Sequence, residues 1–248
     1  MPEKSATTVA RPLREQYEKG LAALQRQNLD YAIAIFAQVL QKEPGFYACR
    51  EALRATQVKK TGGKSGFLKK MFGTASSSPV LAKGQIALRS NPIEAIHIAE
   101  QLLNSDPNNI AAHKLLADAA LAADLPRTAA LSLEIAFKIS PDREVALKLG
   151  GALASAGMSD KAERILSELA STFPNDPEIA KVLKNVSAKR TLSEGGYEAL
   201  EGGAGSYRDI LKNKEEAVSL EQEKRAVKTE DVAGRLLAEC EARIAQET

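Results

Sequence analysis

Five lysines and a run of glycines are the first residues in this chain whose types and spacing could do chemistry. Gly62-Gly63-Lys64-Ser65-Gly66 has the lysine, serine and glycines of a phosphate-binding loop, whose backbone amides cradle phosphates while the lysine reaches the outer ones. That loop needs a glycine where this chain has Val58, and an apolar strand before it, which is missing. Nucleotide hydrolysis is therefore not expected, and the stretch reads as a basic, flexible loop. Lys59, Lys60, Lys64, Lys69 and Lys70 leave phosphate contact open, on RNA, DNA or an anionic membrane face. Five contacts to nucleic acid would make affinity fall with salt at a slope of roughly −4. On a bilayer each lysine adds about 1 kcal/mol, with Phe67, Leu68, Met71 and Phe72 as an apolar dip. The favoured reading docks those four apolar side chains onto a gap in a helical array.

The remaining reactive residue types are dispersed. His97 and His113 have no matched partner, and His113 falls among core-facing positions, where a packed or hydrogen-bonded imidazole is expected. Cys49 and Cys240 lie too far apart for a metal or redox spacing and read as free thiols of a reducing cytosol. No serine, cysteine or carboxylate has a recognisable base near it in sequence. The chain is read as non-enzymatic, with no catalytic, cofactor-binding or metal residues. It begins without an apolar leader segment, and no apolar run approaches the length of a membrane span. A cytoplasmic location is expected.

What remains is a pattern of elements. Residues 109–174 read as two copies of helix, tight turn, helix, proline. The copies end at Pro141 and Pro174, 33 residues apart, and Pro107 lies 34 before Pro141. A fixed period of this size signals stacked helical repeats. In the first copy Leu115, Leu116, Ala119 and Ala120 share a stripe, as do Leu131, Leu133, Ile135, Ala136 and Ile139. The second copy repeats this with Val145, Leu147, Leu149 and Leu153, then Ile165, Leu166 and Leu169. Ala129, Ala136 and Ala162 recur where helices must approach closely. Gly150 and Gly151 each cost roughly 1 kcal/mol relative to alanine inside a helix, which implies close approach by a neighbouring helix or a bend. Neither unit can bury its stripe alone, so stacked units share one core.

The same lattice appears upstream. Gly20, Ala32, Phe36 and Pro44 have the offsets of Gly150, Ala162, Leu166 and Pro174. This pattern resembles the tetratricopeptide repeat (TPR) family, whose unit pairs two antiparallel helices: a small residue in the first, an alanine and a large apolar residue in the second, and a closing proline. Gly84, Ala95 and Pro107 match with a one-residue shift. The resemblance implies an all-α fold, a right-handed α-solenoid of TPR-type repeats with a C-terminal helical extension. Residues 1–12 are expected to be a disordered lead, 13–188 the repeat domain with a basic loop insertion at 59–79, 189–206 a glycine-rich linker, and 207–248 charged helices. Within 45–60, Phe46, Cys49, Leu53 and Ala55 are expected to face inward, and the partner helix of this segment is missing. Asn91 is expected to cap a helix opened by Pro92.

The resemblance also implies a function. The first helices of TPR units line a concave groove that receives peptides. By helical register its lining here comprises Arg14, Tyr17 and Leu21, then Gln85 and Arg89, then Lys114, Asp118 and Leu121, then Glu144 and Leu147. Such a lining suits an extended or helical protein segment with apolar anchors and an acidic group. Tyr17 and Leu21 stand where chaperone-binding members carry a lysine and asparagine clamp, so chaperone tails are not the expected ligand. The expectation is a protein-binding scaffold or adaptor, with self-association or groove contact through the C-terminal helices. The alternative is a scaffold docked to RNA or an anionic membrane by the 59–72 lysines. Charge is unevenly spread behind a net +2. Eight Lys and Arg and no Asp or Glu lie between Ala52 and Ile93, whereas residues 194–248 hold thirteen acidic and eight basic residues.

Overall fold

A computed structural model describes residues 3–62 and 67–194, with the side chains of 67–78 and 192–194 excepted. Two compact units divide the chain, Met1–Lys189 and Arg190–Thr248, and of the second only the end of one helix lies among the described residues. The expected linker beyond Glu194 and the charged C-terminal helices, with Cys240, lie outside them.

The described residues fold as an all-α solenoid: α1 Arg11–Gln25, α2 Leu29–Lys42, α3 Tyr47–Lys60, α4 Phe67–Ser90, α5 Pro92–Ser105, α6 Ile110–Ala122, α7 Pro126–Ile139, α8 Arg143–Ser155, α9 Ser159–Thr172 and α10 Pro177–Glu194. Consecutive helices pack as hairpins from α1 to α3 and again from α4 to α9. The glycine lattice has a direct cause. A Cβ on Gly20 would overlap the Phe36 ring, and a Cβ on Gly150 would lie 2.5 Å from Leu166 Cγ. Each glycine is the hole into which the large apolar side chain of the second helix fits. Gly151, by contrast, has nothing within 4 Å, so the expected close approach involves one glycine of the pair. The tight turns use left-handed backbone at Gln27, Asp124 and Gly157, the last two again 33 residues apart. Asn91 accepts the Glu94 amide at 3.2 Å and Asn109 the Ala112 amide at 2.9 Å, capping α5 and α6.

Burial follows the predicted stripes, with exceptions at their ends. Leu115, Leu116, Leu133, Leu149, Leu153 and Leu166 are buried, whereas Ile139, the last residue of α7, is exposed. His113 is fully buried with its Nε2 2.9 Å from the Pro107 carbonyl oxygen. Burial, then repulsion from Arg54, pulls its pKa down to about 4, so the imidazole is a neutral core group.

Three features differ from expectation. Residues 3–10, expected as a disordered lead, run back across the protein. Lys4 bridges to Phe46, its amide donates to the Gly45 carbonyl at 2.8 Å, and its Nζ reaches Glu43 at 2.6 Å. The Glu3 carboxylate accepts the Arg127 and Thr128 amides at 3.0 and 2.7 Å. It caps α7 from 125 residues away, in the place where Leu125 offers no capping side chain. Next, the expected 59–79 loop is helical over most of its length: α3 runs to Lys60 and α4 starts at Phe67, with Pro79 inside it. Finally, α3 does not pair with α4. It packs on α2 and against α7, and a buried polar network ties it to α5.

That network forms because α3 carries Arg50, Arg54 and Gln57 on one face, at i, i+4 and i+7. Arg50 Nε donates to Glu100 at 3.0 Å, and its Nη1 donates to the Pro44 carbonyl at 2.7 Å and to Thr128 Oγ1 at 2.9 Å. Arg54 also donates to Glu100 and, at 2.6 Å, to Gln57, which reaches Asn104 at 2.5 Å. Ala55, expected inward, is exposed instead. Burial alone would raise the Glu100 pKa, but the Arg54 and Arg50 guanidiniums outweigh it and hold the carboxylate below its usual range.

Candidate partner-binding face

The first helices of the three consecutive pairs are α4, α6 and α8. Aligning the buried small residues Gly84, Ala117 and Gly150 sets their register, so Gln85, Asp118 and Gly151 occupy one row, and Leu88, Leu121 and Ala154 a second. A third row holds Leu81, Lys114 and Leu147. Every groove residue expected on these helices falls on or beside these rows. Gln85 and Arg89 are exposed on α4, and Leu121 is exposed on α6. Leu147 is buried, so it supports the face from beneath.

The charges between α6 and α8 are engaged with one another. Lys114 Nζ lies 3.3 Å from Asp142 and 3.4 Å from Glu144. Lys148 Nζ lies 3.0 Å from Asp118 and 3.4 Å from Glu144. Lys114 holds the Asp142 and Glu144 carboxyls below their usual ranges. Burial would lower the Lys148 pKa, but Asp118 and Glu144 raise it overall. Pairs this exposed are each worth about 0–1 kcal/mol, so the ladder fixes spacing more than it adds stability. Two lysines face three carboxylates, so the strip keeps a net negative charge. Lys148 was missing from the sequence reading. Its signal is the position 30 residues after Asp118, one period less about one helical turn.

The expected α1 residues belong elsewhere. Tyr17 stacks with its ring centroid 4.9 Å from Phe46 and 5.9 Å from Phe36. Leu21 packs on the same N-terminal core, and Arg14 is half-buried on α1. Helix α1 packs on α2 and α3. Of the predicted residues, Lys114 of α6 and Glu144 of α8 meet in an ion pair, Leu147 belongs to the hydrophobic cluster of the repeats, and Tyr17 and Leu21 belong to a separate N-terminal cluster.

Lys59 and Lys60 are exposed at the end of α3, and Lys60 pairs with Asp30. Lys64 and the side chains of Phe67, Leu68, Lys69, Lys70, Met71 and Phe72 lie outside the described residues. Among the described residues no helix is long and apolar enough to cross a membrane, and no group of three or more His, Cys, Asp or Glu is placed to hold a metal. Cys49 is buried, and burial first of all pushes its thiol up to about 12, which removes it as a nucleophile.

Residues 144–176, which span α8, α9 and the turn after them, match the tetratricopeptide repeat family. That stretch is a TPR-type repeat unit. Two solved structures are similar to this chain over most of its length. The crystal structure of MamA protein is 17% identical with a TM-score of 0.38, covering 84% of this chain and 94% of that one. TTC0263, a thermophilic TPR protein in Thermus thermophilus, is 17% identical with a TM-score of 0.34, covering 83% of this chain and 98% of that one. No curated protein matches the chain.

Proposed function

We propose that this protein is a non-enzymatic scaffold that binds a segment of a partner protein across α4, α6 and α8. The observation that carries the reading is the three-row register of those helices. It offers an apolar foothold at Leu121, an open backbone patch at Gly151 and a hydrogen-bonding amide at Gln85. Arg89 is exposed and makes no ion pair among the described residues, so it is the cation on which an acidic group of the partner would settle. The preferred ligand is an extended or helical segment with one apolar anchor and one carboxylate. Compact interaction surfaces of this type concentrate their energy in few residues.

The test is affinity capture on the full chain, comparing wild type with Leu121→Glu and Arg89→Glu. Both residues are exposed, so helical content by circular dichroism should be unchanged. The expected result is loss of the same captured protein by both variants. Retention of every partner by both would overturn the reading.

A further inference from the structure

A different face of α4 carries a second inference. Register places Val80 with His113 and Ala146, Lys83 with Leu116 and Leu149, and Ile86 with Ala119 and Ala152. The six residues of α6 and α8 are between 0% and 2% exposed, while Val80 is 38% exposed and Ile86 72%. Helix α6 packs against α5, and α8 against α7, each a second helix of 14 residues. For α4 the covering helix would be the partner of α3, and α3 packs on α2 and α7 instead. Among the described residues no helix takes that place. At 3.6 residues per turn Lys83 projects between Val80 and Ile86, about 60° from each.

We propose that this face of α4 docks an acidic amphipathic helix from another protein, which supplies the covering helix that the interrupted repeat lacks. The α6 and α8 precedents define the occupant's shape, a helix of about four turns with an apolar stripe. Charge defines the rest. A lysine stands where α6 and α8 bury a leucine, and the stretch Pro79 to Ser90 of α4 carries Lys83 and Arg89 and no Asp or Glu. Among the described residues Lys83 pairs only with Glu94, at 3.8 Å, with both side chains exposed. A partner carboxylate opposite Lys83, flanked by apolar groups on Val80 and Ile86, matches the pattern apolar, cation, apolar.

The probe is the synthetic, end-capped peptide PIEAIHIAEQLLNS of residues 92–105, which packs against α6 and contains two Glu and no Lys or Arg. It is titrated into the full chain by calorimetry. The expected result is saturable binding, weakened about tenfold or more by Ile86→Asp and by Lys83→Glu and unchanged by Leu121→Glu. A version of the peptide with both Glu replaced by Lys should not bind. Absence of binding, indifference to both α4 substitutions, or equal binding of the lysine peptide would overturn the proposal. A dimer in light scattering that Ile86→Asp dissociates would assign the face to a second copy of this chain and overturn it too.

Discussion

The N-terminal block of α1–α3 and the repeats of α4–α9 are built from the same helix hairpin, yet they bury different things. The block gathers aromatic rings, with Tyr17, Phe36 and Phe46 around Val39 and Leu53. The repeats are filled by alanine, leucine and isoleucine in a longer cluster running from Ala87 to Val186. Within the repeats each hairpin lies on its neighbour through apolar stripes. Between the block and the repeats the contact is polar: Arg50, Arg54 and Gln57 meet Glu100, Asn104 and Thr128, and Glu3 caps α7. The difference teaches that the repeat rule governs successive hairpins only. Where the chain interrupts its period, specific hydrogen bonds set the geometry, since a buried charge tolerates few arrangements.

The largest expected effect attacks that polar seam. Glu100→Ala leaves two buried guanidiniums without their carboxylate, which costs about 3–5 kcal/mol. Hydrogen exchange should quicken in residues 3–60 and at the start of α7, while α8 and α9 keep their protection. Uniform loss of protection would show that the two regions unfold as one body.

Next comes acid sensitivity inside the repeats. His113 has a folded pKa of about 4, against an ordinary value near 6.5. The unfolded chain therefore binds the proton more tightly. The stability that His113 contributes is present in full above about pH 6.5 and is lost as pH falls toward 4. The loss is on the order of 3 kcal/mol. It is read as the difference between urea midpoints of wild type and His113→Asn over that window, in which His97 cancels. Glu100, whose folded pKa is lowered, begins to add its own loss as pH falls through the ordinary glutamate value of about 4.3, at the acid end of this window.

A smaller effect separates two adjacent glycines. Gly150→Ala must push Leu166 aside and should cost about 1–3 kcal/mol. Gly151→Ala meets open space and should gain roughly 1 kcal/mol from helix propensity. Opposite shifts in melting temperature are expected. The smallest effect belongs to the N-terminal strap: Glu3→Ala removes a capping carboxylate and should cost about 1 kcal/mol, read as faster exchange of the Arg127 and Thr128 amides.

The repeats were legible in the sequence because their contacts are periodic. The offset of Gly20 to Phe36 and Gly150 to Leu166 is the contact itself, and His113 was read correctly as a core residue. The seam was not legible. Arg50, Arg54 and Gln57 form a polar helical stripe, which ordinarily faces water, and their partners lie 46 to 78 residues away. Nor was the strap, since nothing near Glu3 reveals that α7 lacks a cap. The groove reading joined α1 to α4, α6 and α8 by helical register across a repeat that already reads as interrupted. The separate packing of α3 removes Tyr17 and Leu21 from that surface.

The most direct test of partner binding across α4, α6 and α8 places a photo-crosslinking amino acid in the full chain at Gln85, at Leu121, or at the exposed Lys138 of α7. Binding on this face predicts one and the same crosslinked protein from positions 85 and 121 and none from 138. Crosslinks from 138 alone, or equal yields from all three, would contradict it.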